Sequence, residues 1–286
     1  MAENSSFSTL GYFVWDLQTD TIVGTMSNSG LPRPDHVSMA PSGQYFTISW
    51  GAPRGTYRYN RDFTGGAQML PSSEHSDLVK GLDGDDYYLS VDYGDGYVFM
   101  VNMRTLVRTN LFQTYLSGTA TAIHFSGKAF NKPGWALVST YADYGGPKQW
   151  LHAKIFVVEL MANPRIYMVG HHRSDPYSDD YWDEPHASVN RDFTRIAFNS
   201  NWNANNTNVD TYLATLPANI FGSVSSPDTT APSPPPRLSA TALSSSQVNL
   251  SWSASTDNIG VSGYRVYRGG NLIASPTGTT YSNTGL

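Results

Sequence analysis

One pattern of polar and apolar positions recurs four times before residue 222. Each instance opens with a histidine and a short strand-like run, passes through a polar turn, and ends in a run rich in β-branched and aromatic residues. The turns suit chain reversal, because in residues 41–43 (Pro-Ser-Gly) proline presets one φ and glycine accepts a positive one. The four instances are residues 36–50, 75–91, 124–140 and 186–200.

Two further strand-like runs follow each of the first three instances, for example residues 97–103 and 107–112 after the second. Four short strands per unit, repeated with loops of variable length, are typical of β-propeller blades. We therefore predict an all-β fold in which residues 1–222 form a β-propeller with about four to five blades visible.

The units at both ends of this region are incomplete. Residues 12–17 and 21–25 look like the outer two strands of a blade whose inner strands are absent, and the last unit offers only residues 211–215 after its opening pair. The two partial units could close one blade between them, or the chain could lack upstream blades. Residues 1–9 are polar and carry no apolar signal core, so either the mature chain is numbered or its start is missing. We expect a missing start, because the second module, residues 237–286, also stops early at Leu286.

Residues 223–236 are rich in proline and small polar residues, a composition that favours an extended linker over a packed core. The following residues 237–286 resemble the fibronectin type III modules of secreted bacterial carbohydrate-active enzymes. Such a module needs about 90 residues and seven strands, so we predict an incomplete fibronectin type III β-sandwich. The residues that carry the resemblance are Leu238, Val248, Leu250, Trp252, residues 263–268, Thr280 and Tyr281.

Composition narrows the classes of partner. Only 14% of residues are charged, aromatics reach 13%, and this balance is typical of an all-β extracellular protein. The net charge of −5, without a basic run, disfavours nucleic acid and an anionic membrane surface. The absence of cysteine excludes disulfides and thiol catalysis. We expect a secreted monomer whose partner is a polysaccharide or oligosaccharide, with no nucleic-acid or membrane partner.

Histidine is the residue type that most clearly indicates chemistry. His36, His75, His124 and His186 each open a predicted innermost strand, so they could converge near one end of a propeller channel. Convergent imidazoles with Glu184 beside them could bind a divalent metal. The alternative is structural, with each histidine capping exposed backbone or bonding a neighbouring blade.

The segments 184–192 (EPHASVNRD) and 195–201 (RIAFNSN), with residues 124–126 (HFS), resemble the last-blade and metal-binding strands of oligogalacturonate-lyase-type propellers, relatives of the TolB-like repeats. In that family a metal held by histidines and a glutamine binds the uronate carboxylate, and a basic side chain removes the α-proton. The resemblance implies His124 and His186 as ligands of a metal such as Mn²⁺ or Ca²⁺. Glu184 stands where the family has another histidine, and Tyr181 stands where its glutamine is expected.

Other side chains offer further chemistry. His172 and Arg173 are candidate catalytic residues, as the base or as contacts to an anionic sugar. Tyr177, Tyr181 and Trp182 lie in a predicted loop and could stack on sugar rings or simply pack between blades.

Two acidic turns, at residues 83–86 and 92–95, could bind Ca²⁺ or be solvated hairpins. The acids of 179–184 could form a glycosidase pair. The remaining loop aromatics are Tyr141, Tyr144, Trp150 and Trp202.

Three functional hypotheses follow. The first is a secreted propeller that acts as a metal-assisted polysaccharide lyase on uronate-containing glycans. The second is a non-catalytic propeller that binds a glycan or a protein, with the fibronectin module as a spacer. The third is a glycoside hydrolase that uses Asp179, Asp180, Asp183 or Glu184. A metal requirement, binding without turnover, and turnover that survives chelation would distinguish them.

Overall fold

The computed structural model describes residues 2–3, 8–142, 145–174, 181–202, 208–217, 231–257, 261, 263–284 and 286. The chain divides into two units, Met1–Gly222 and Ser223–Leu286. Within the described residues, no helix is long and apolar enough to cross a lipid bilayer.

Within its described residues, the first unit forms five antiparallel sheets of consecutive strands, which we number blades 1 to 5. Blade 1 holds β1–β3, blade 2 β4–β7, blade 3 β8–β11, blade 4 β12–β15 and blade 5 β16–β18. A 3-10 turn, Tyr181–Asp183, precedes blade 5. The strands are β1 Ala2–Glu3, β2 Thr9–Asp16, β3 Thr21–Ser27, β4 His36–Met39, β5 Tyr45–Ser49, β6 Thr56–Asn60, β7 Ala67–Leu70, β8 Ser76–Lys80, β9 Asp86–Asp92, β10 Tyr97–Asn102, β11 Arg108–Gln113, β12 Ala122–Ser126, β13 Trp135–Tyr141, β14 Lys154–Glu159, β15 Ile166–His171, β16 Ser188–Val189, β17 Arg195–Ser200 and β18 Asp210–Thr215.

The first strands of successive blades are neighbours. Strand β4 contacts β8, β8 contacts β12, and β12 contacts β16, although these strands belong to different sheets. A row of first strands that face a common interior, with the later strands of each sheet further out, is the arrangement of a β-propeller. The predicted all-β propeller fold is therefore confirmed.

Apolar side chains between neighbouring blades form the core. One cluster joins blades 3 and 4 through residues such as Val91, Ile123 and Phe156. Another joins blades 1 and 2 around Trp50, which is fully buried. Strands packed on both faces lose the polar alternation of a half-solvated sheet, which explains the unbroken apolar runs in β10, β13 and β14.

Polar bonds at the turns add a second connection between blades. The carboxylate of Asp86 in blade 3 accepts hydrogen bonds from the amide and hydroxyl of Ser42 in blade 2. The buried Asp77 of blade 3 accepts the amide of Gly127 at 2.7 Å and pairs with Lys128, both of which follow β12 of blade 4. The polar turn residues of the repeat therefore bond one blade to the next.

Blade 1 differs from the sequence expectation. Residues 12–17 and 21–25 were predicted to stand without inner strands, yet the two-residue β1 pairs with β2 and makes a third strand. A two-residue strand carries no hydrophobic period, so the sequence pattern could not indicate it. Blade 5 has the three strands that the sequence suggests, within its described residues.

The second unit holds a three-stranded sheet and a two-stranded sheet. Trp252 is its most buried aromatic side chain among the described residues, and its ring meets Tyr264 edge-on at 5.3 Å. The backbone of Ser233 and Pro236, which the sequence placed in the linker, hydrogen-bonds Thr256 and Ser253. The strands are β19 Ser239–Ser244, β20 Gln247–Ser251, β21 Val266–Arg268, β22 Asn271–Ala274 and β23 Thr280–Thr284.

Candidate metal centre

Three of the four predicted histidines lie in a row across blades 3, 4 and 5. The ring of His124 lies 4.4 Å from that of His75 and 4.3 Å from that of His186, between ring centroids. His124 is the third residue of β12, whereas His75 precedes β8 and His186 precedes β16. The row follows from the propeller geometry, because neighbouring first strands bring into contact residues that are far apart in the sequence.

Glu184 completes a three-residue cluster with His124 and His186. Its Oε2 atom lies 3.1 Å from His124 Nε2 and 3.5 Å from His186 Nε2. One ligand atom from each of the three residues falls within 4.8 Å of the others. Glu184 Oε2 is buried yet has no hydrogen-bond partner, because the 3.1 Å approach lacks hydrogen-bond geometry. A buried oxygen without a partner is a position that a cation would satisfy.

Hydrogen bonds hold the segment that carries Glu184 and His186. The side-chain amide of Asn201 donates to the buried carboxylate of Asp183, and the backbone N–H of Asn199 donates to the carbonyl of Pro185. The amide of Ala187 donates to Ser139 Oγ of blade 4. His186 itself has φ +39°, close to the left-handed region that non-glycine residues adopt only when their surroundings impose it.

Burial sets the protonation of the cluster. It lowers the pKa of His124 to about 2, with His75 and His186 contributing smaller effects of the same sign. The imidazole is therefore neutral, which is the form that ligates metals. Burial also raises the pKa of Glu184 to about 7. Two imidazole nitrogens and a carboxylate oxygen form a donor set that suits Mn²⁺ or Zn²⁺.

The fourth histidine does not join the row. His36 Nε2 lies 3.0 Å from Ser76 Oγ and 3.1 Å from Ser49 Oγ, and its Nδ1 lies 3.1 Å from the carboxylate of Asp35. It still lines the same central cavity of about 370 Å³ as the other three. The expected convergence of four imidazoles therefore reduces to three, with only two of them in the ligand cluster.

The predicted catalytic pair separates into a buried and an exposed residue. His172 is fully buried, its Nε2 lies 2.7 Å from the carbonyl of Thr140, and its Nδ1 accepts the amide of Ser174. Both ring nitrogens are thus occupied, so the position does not support a role as base. Arg173 is exposed and lies near Lys154 and His171. Burial lowers the pKa of Lys154, and the charge of Arg173 lowers it further. Burial also lowers the pKa of His171, with smaller contributions from the charges of Lys154 and Arg173.

The predicted aromatic and acidic candidates are placed as follows. Trp182 is 67% exposed on the 3-10 turn that includes the backbone of Tyr181. Tyr177, with Asp179 and Asp180, lies outside the described residues. Asp183 is buried and hydrogen-bonded, so with Glu184 it does not form the accessible acid pair of a glycosidase.

The acidic turns pair with arginines. Asp85 bonds Arg104, and Arg108 reaches both Asp92 and Asp95. These pairs occupy three of the carboxylates of the two turns, so the alternative of a solvated hairpin describes the turns better than a Ca²⁺ site.

Sequence reasoning missed a second cavity next to the cluster. Its volume is about 530 Å³, and the tyrosines that line it are Tyr93, Tyr115 and Tyr141. Tyr141 stacks on His124 with ring centroids 4.5 Å apart. The signal was weak, since Tyr141 was one of many loop aromatics and the other two follow ordinary strands of blade 3.

No family model matches the sequence. A 65-residue stretch is 52% identical to part of Chitinase A1 of Niallia circulans. This stretch covers 23% of this chain and 9% of that protein. A 60-residue stretch is 47% identical to Exoglucanase B of Cellulomonas fimi and covers 21% and 6% of the two chains. These matches support a fibronectin type III-like segment. The chain spans only 5% to 12% of the length of the curated relatives that it matches.

Solved structures with a similar arrangement share little sequence. An oligogalacturonate lyase in complex with manganese gives a TM-score of 0.44 at 18% identity, over 71% of this chain and 53% of that chain. TolB from Acinetobacter baumannii gives 0.40 at 12% identity, over 71% and 45%. The propeller assignment depends on the blades themselves and not on these likenesses.

Proposed function

We propose that the propeller is a secreted protein that acts on glycans and holds a divalent cation with His124, Glu184 and His186. Its proposed reaction is cleavage of uronate-containing glycans by β-elimination at the glycosidic bond. The observation that carries this proposal is the cluster of three ligand atoms around a buried, unpartnered Glu184 oxygen. Bound there, the cation would neutralise a sugar carboxylate and acidify the adjacent C–H bond.

The chain's own residues would prepare the site for such a ligand. Burial keeps His124 neutral, and the hydrogen-bonded segment 183–187 fixes Glu184 and His186 opposite it. The ring of Tyr141 stacks on His124, and the tilted ring of His75 packs against it, so both neighbours restrict the His124 ring. A preorganised site of this kind loses little entropy when it binds.

Elimination also needs a base that takes the C5 proton while the C4–O bond breaks, a C4–C5 double bond forms and the departing oxygen takes a proton from solvent. Because both ring nitrogens of His172 have backbone partners, we assign this role to Arg173, which is exposed beside Lys154 and His171.

Metal content tests the proposal. Elemental analysis of the purified chain after incubation with Mn²⁺, Ca²⁺ or Zn²⁺ should give near one metal per chain, and His186→Ala and Glu184→Gln should each lose it. His36→Ala is the matched control, because His36 lines the same cavity but lies outside the cluster. Absence of metal in the wild type would contradict the proposal.

Activity tests the reaction. Oligogalacturonate incubated with the metal-loaded protein should yield the ultraviolet absorbance of an unsaturated product, and chelation or Arg173→Ala should abolish it. Full activity in the Arg173→Ala variant would remove Arg173 as the base.

A non-catalytic glycan-binding propeller is the second candidate, and the burial of His172 favours it. It predicts metal-dependent binding of oligosaccharide without any product. The same incubation therefore distinguishes the two, because binding persists in both cases and only the lyase generates absorbance.

A further inference from the structure

A cavity beside the candidate metal centre has the features of a sugar site that the metal cluster does not explain. It is lined from blades 3 and 4 and from the loop segments that precede β4 and β8. Its volume of about 530 Å³ falls in the range of small-ligand sites. The lining residues that matter are Asp35, Glu74, His75, Tyr93, Tyr115 and Tyr141.

The tyrosines form fixed aromatic walls. Tyr115 is 44% exposed, yet its hydroxyl donates to the carbonyl of Tyr93 at 2.7 Å. Its ring also lies against Gly96, where a Cβ would come within 2.5 Å of the Tyr115 ring. Tyr93 donates in turn to the carbonyl of Thr121 at 3.2 Å. An exposed ring held at both ends offers a flat face at little cost in side-chain entropy, as sugar stacking requires.

The charge of the lining selects against acidic sugars. Asp35 and Glu74 contribute carboxylates, and no lysine or arginine is among the described residues of the lining. An anionic sugar would meet like charge there, whereas hydroxyl or ammonium groups could donate to both carboxylates. Tyrosine faces also attract an ammonium group.

We propose that this cavity is a subsite for a sugar unit without negative charge, neutral or amino, which stacks on Tyr115 and donates hydrogen bonds to Glu74 and Asp35. His75 and Tyr141 line the cavity and also pack against the ring of His124. In combination with the proposed metal function, on which this last step rests, the protein would take a mixed glycan in which an acidic unit adjoins an uncharged or amino sugar.

Calorimetric titration tests the subsite apart from the metal. In a chelating buffer, we expect the hexamer of glucosamine or the neutral hexamer of xylose to bind, and the hexamer of galacturonate to bind at least about tenfold more weakly. Tyr115→Ala should weaken the favoured hexamer about tenfold, the effect of losing one stacked ring. Tyr115→Phe keeps the ring and should retain most of the affinity.

A second variant identifies the ligand charge and guards against misfolding. Glu74→Gln should weaken the glucosamine hexamer and leave the xylose hexamer nearly unchanged if the preferred unit is an amino sugar. His186→Ala should change neither affinity, so failure of the metal centre leaves this result intact. The proposal is overturned if the galacturonate hexamer binds as tightly as the others, or if no hexamer responds to Tyr115→Ala.

Discussion

Two histidines of this chain, the fully buried His172 and the largely buried His124, differ in the hydrogen-bond partners of their ring nitrogens. Both ring nitrogens of His172 have backbone partners, whereas His124 Nδ1 is buried without one. The sequence marks both as candidates, because it gives the residue type and not the hydrogen-bond partners. Only the partners separate a structural imidazole from one that is available to a ligand.

The burial of His172 predicts a loss of stability in acid. Burial lowers its pKa to about 4 from the ordinary 6.5, so the unfolded chain binds this proton at higher pH than the folded chain does. The stabilising contribution is complete above pH 6.5 and is lost as pH falls from 6.5 through 4. Between pH 7 and 4.5 the loss amounts to about 2 kcal/mol.

Urea unfolding at pH 7 and 4.5 measures this loss. His172→Asn should unfold more easily at pH 7 and show a smaller drop between the two pH values than the wild type. His171→Asn, at the exposed neighbouring position, should reduce the drop less than His172→Asn does. An equal drop in wild type and His172→Asn would show that His172 does not carry the effect.

At the scale of strands, the repeat predicted most of the propeller. The opening pairs β4–β5, β8–β9 and β12–β13 lie within the predicted residues 36–50, 75–91 and 124–140 apart from their terminal one or two residues, because polar turns separate strongly apolar strands. The two-residue β16 lies within the predicted opening strand of residues 186–200, whereas the two-residue β1 was not predicted, since its position depends on pairing with β2 and not on its own pattern.

Bonds between blades give a prediction at this scale. Asp77→Ala should cost about 2–3 kcal/mol, because it leaves the buried amide of Gly127 without an acceptor and removes the partner of Lys128. Asp92→Ala removes an exposed pair with Arg108 inside one blade and should cost less than about 1 kcal/mol.

Chemical denaturation of the two variants beside the wild type provides the measurement. A cost for Asp77→Ala no larger than that for Asp92→Ala would mean that apolar packing alone holds blades 3 and 4 together.

At the scale of the molecule, the site depends on distances that no local pattern contains. His124 and His186 come together because blades 4 and 5 are neighbours. The sequence repeat does predict that consecutive blades are neighbours. The cavity at Tyr93 and Tyr115 was not predictable, because it depends on where the ends of blade 3 meet the loops of blades 2 and 4. Sequence therefore predicted which histidines to consider, and the structure added the adjoining cavity.

The two units should also unfold separately, as we propose from their separate cores. The apolar clusters around Trp50, Phe99 and Phe156 all lie before residue 222, whereas Trp252 packs with Tyr264 in the second unit. Deletion of residues 224–286 should therefore leave the melting temperature of the propeller unchanged. Trp252→Ala in the full chain should abolish only the transition of the second unit, because loss of a buried tryptophan costs about 3–5 kcal/mol.

Differential scanning calorimetry of the three proteins distinguishes the possibilities. Two transitions in the wild type and the same single transition in both variants would show that the units are energetically independent. A propeller that melts several degrees lower after the deletion would show that the second unit stabilises it, and the boundary near residue 223 would then separate two parts of one cooperative domain.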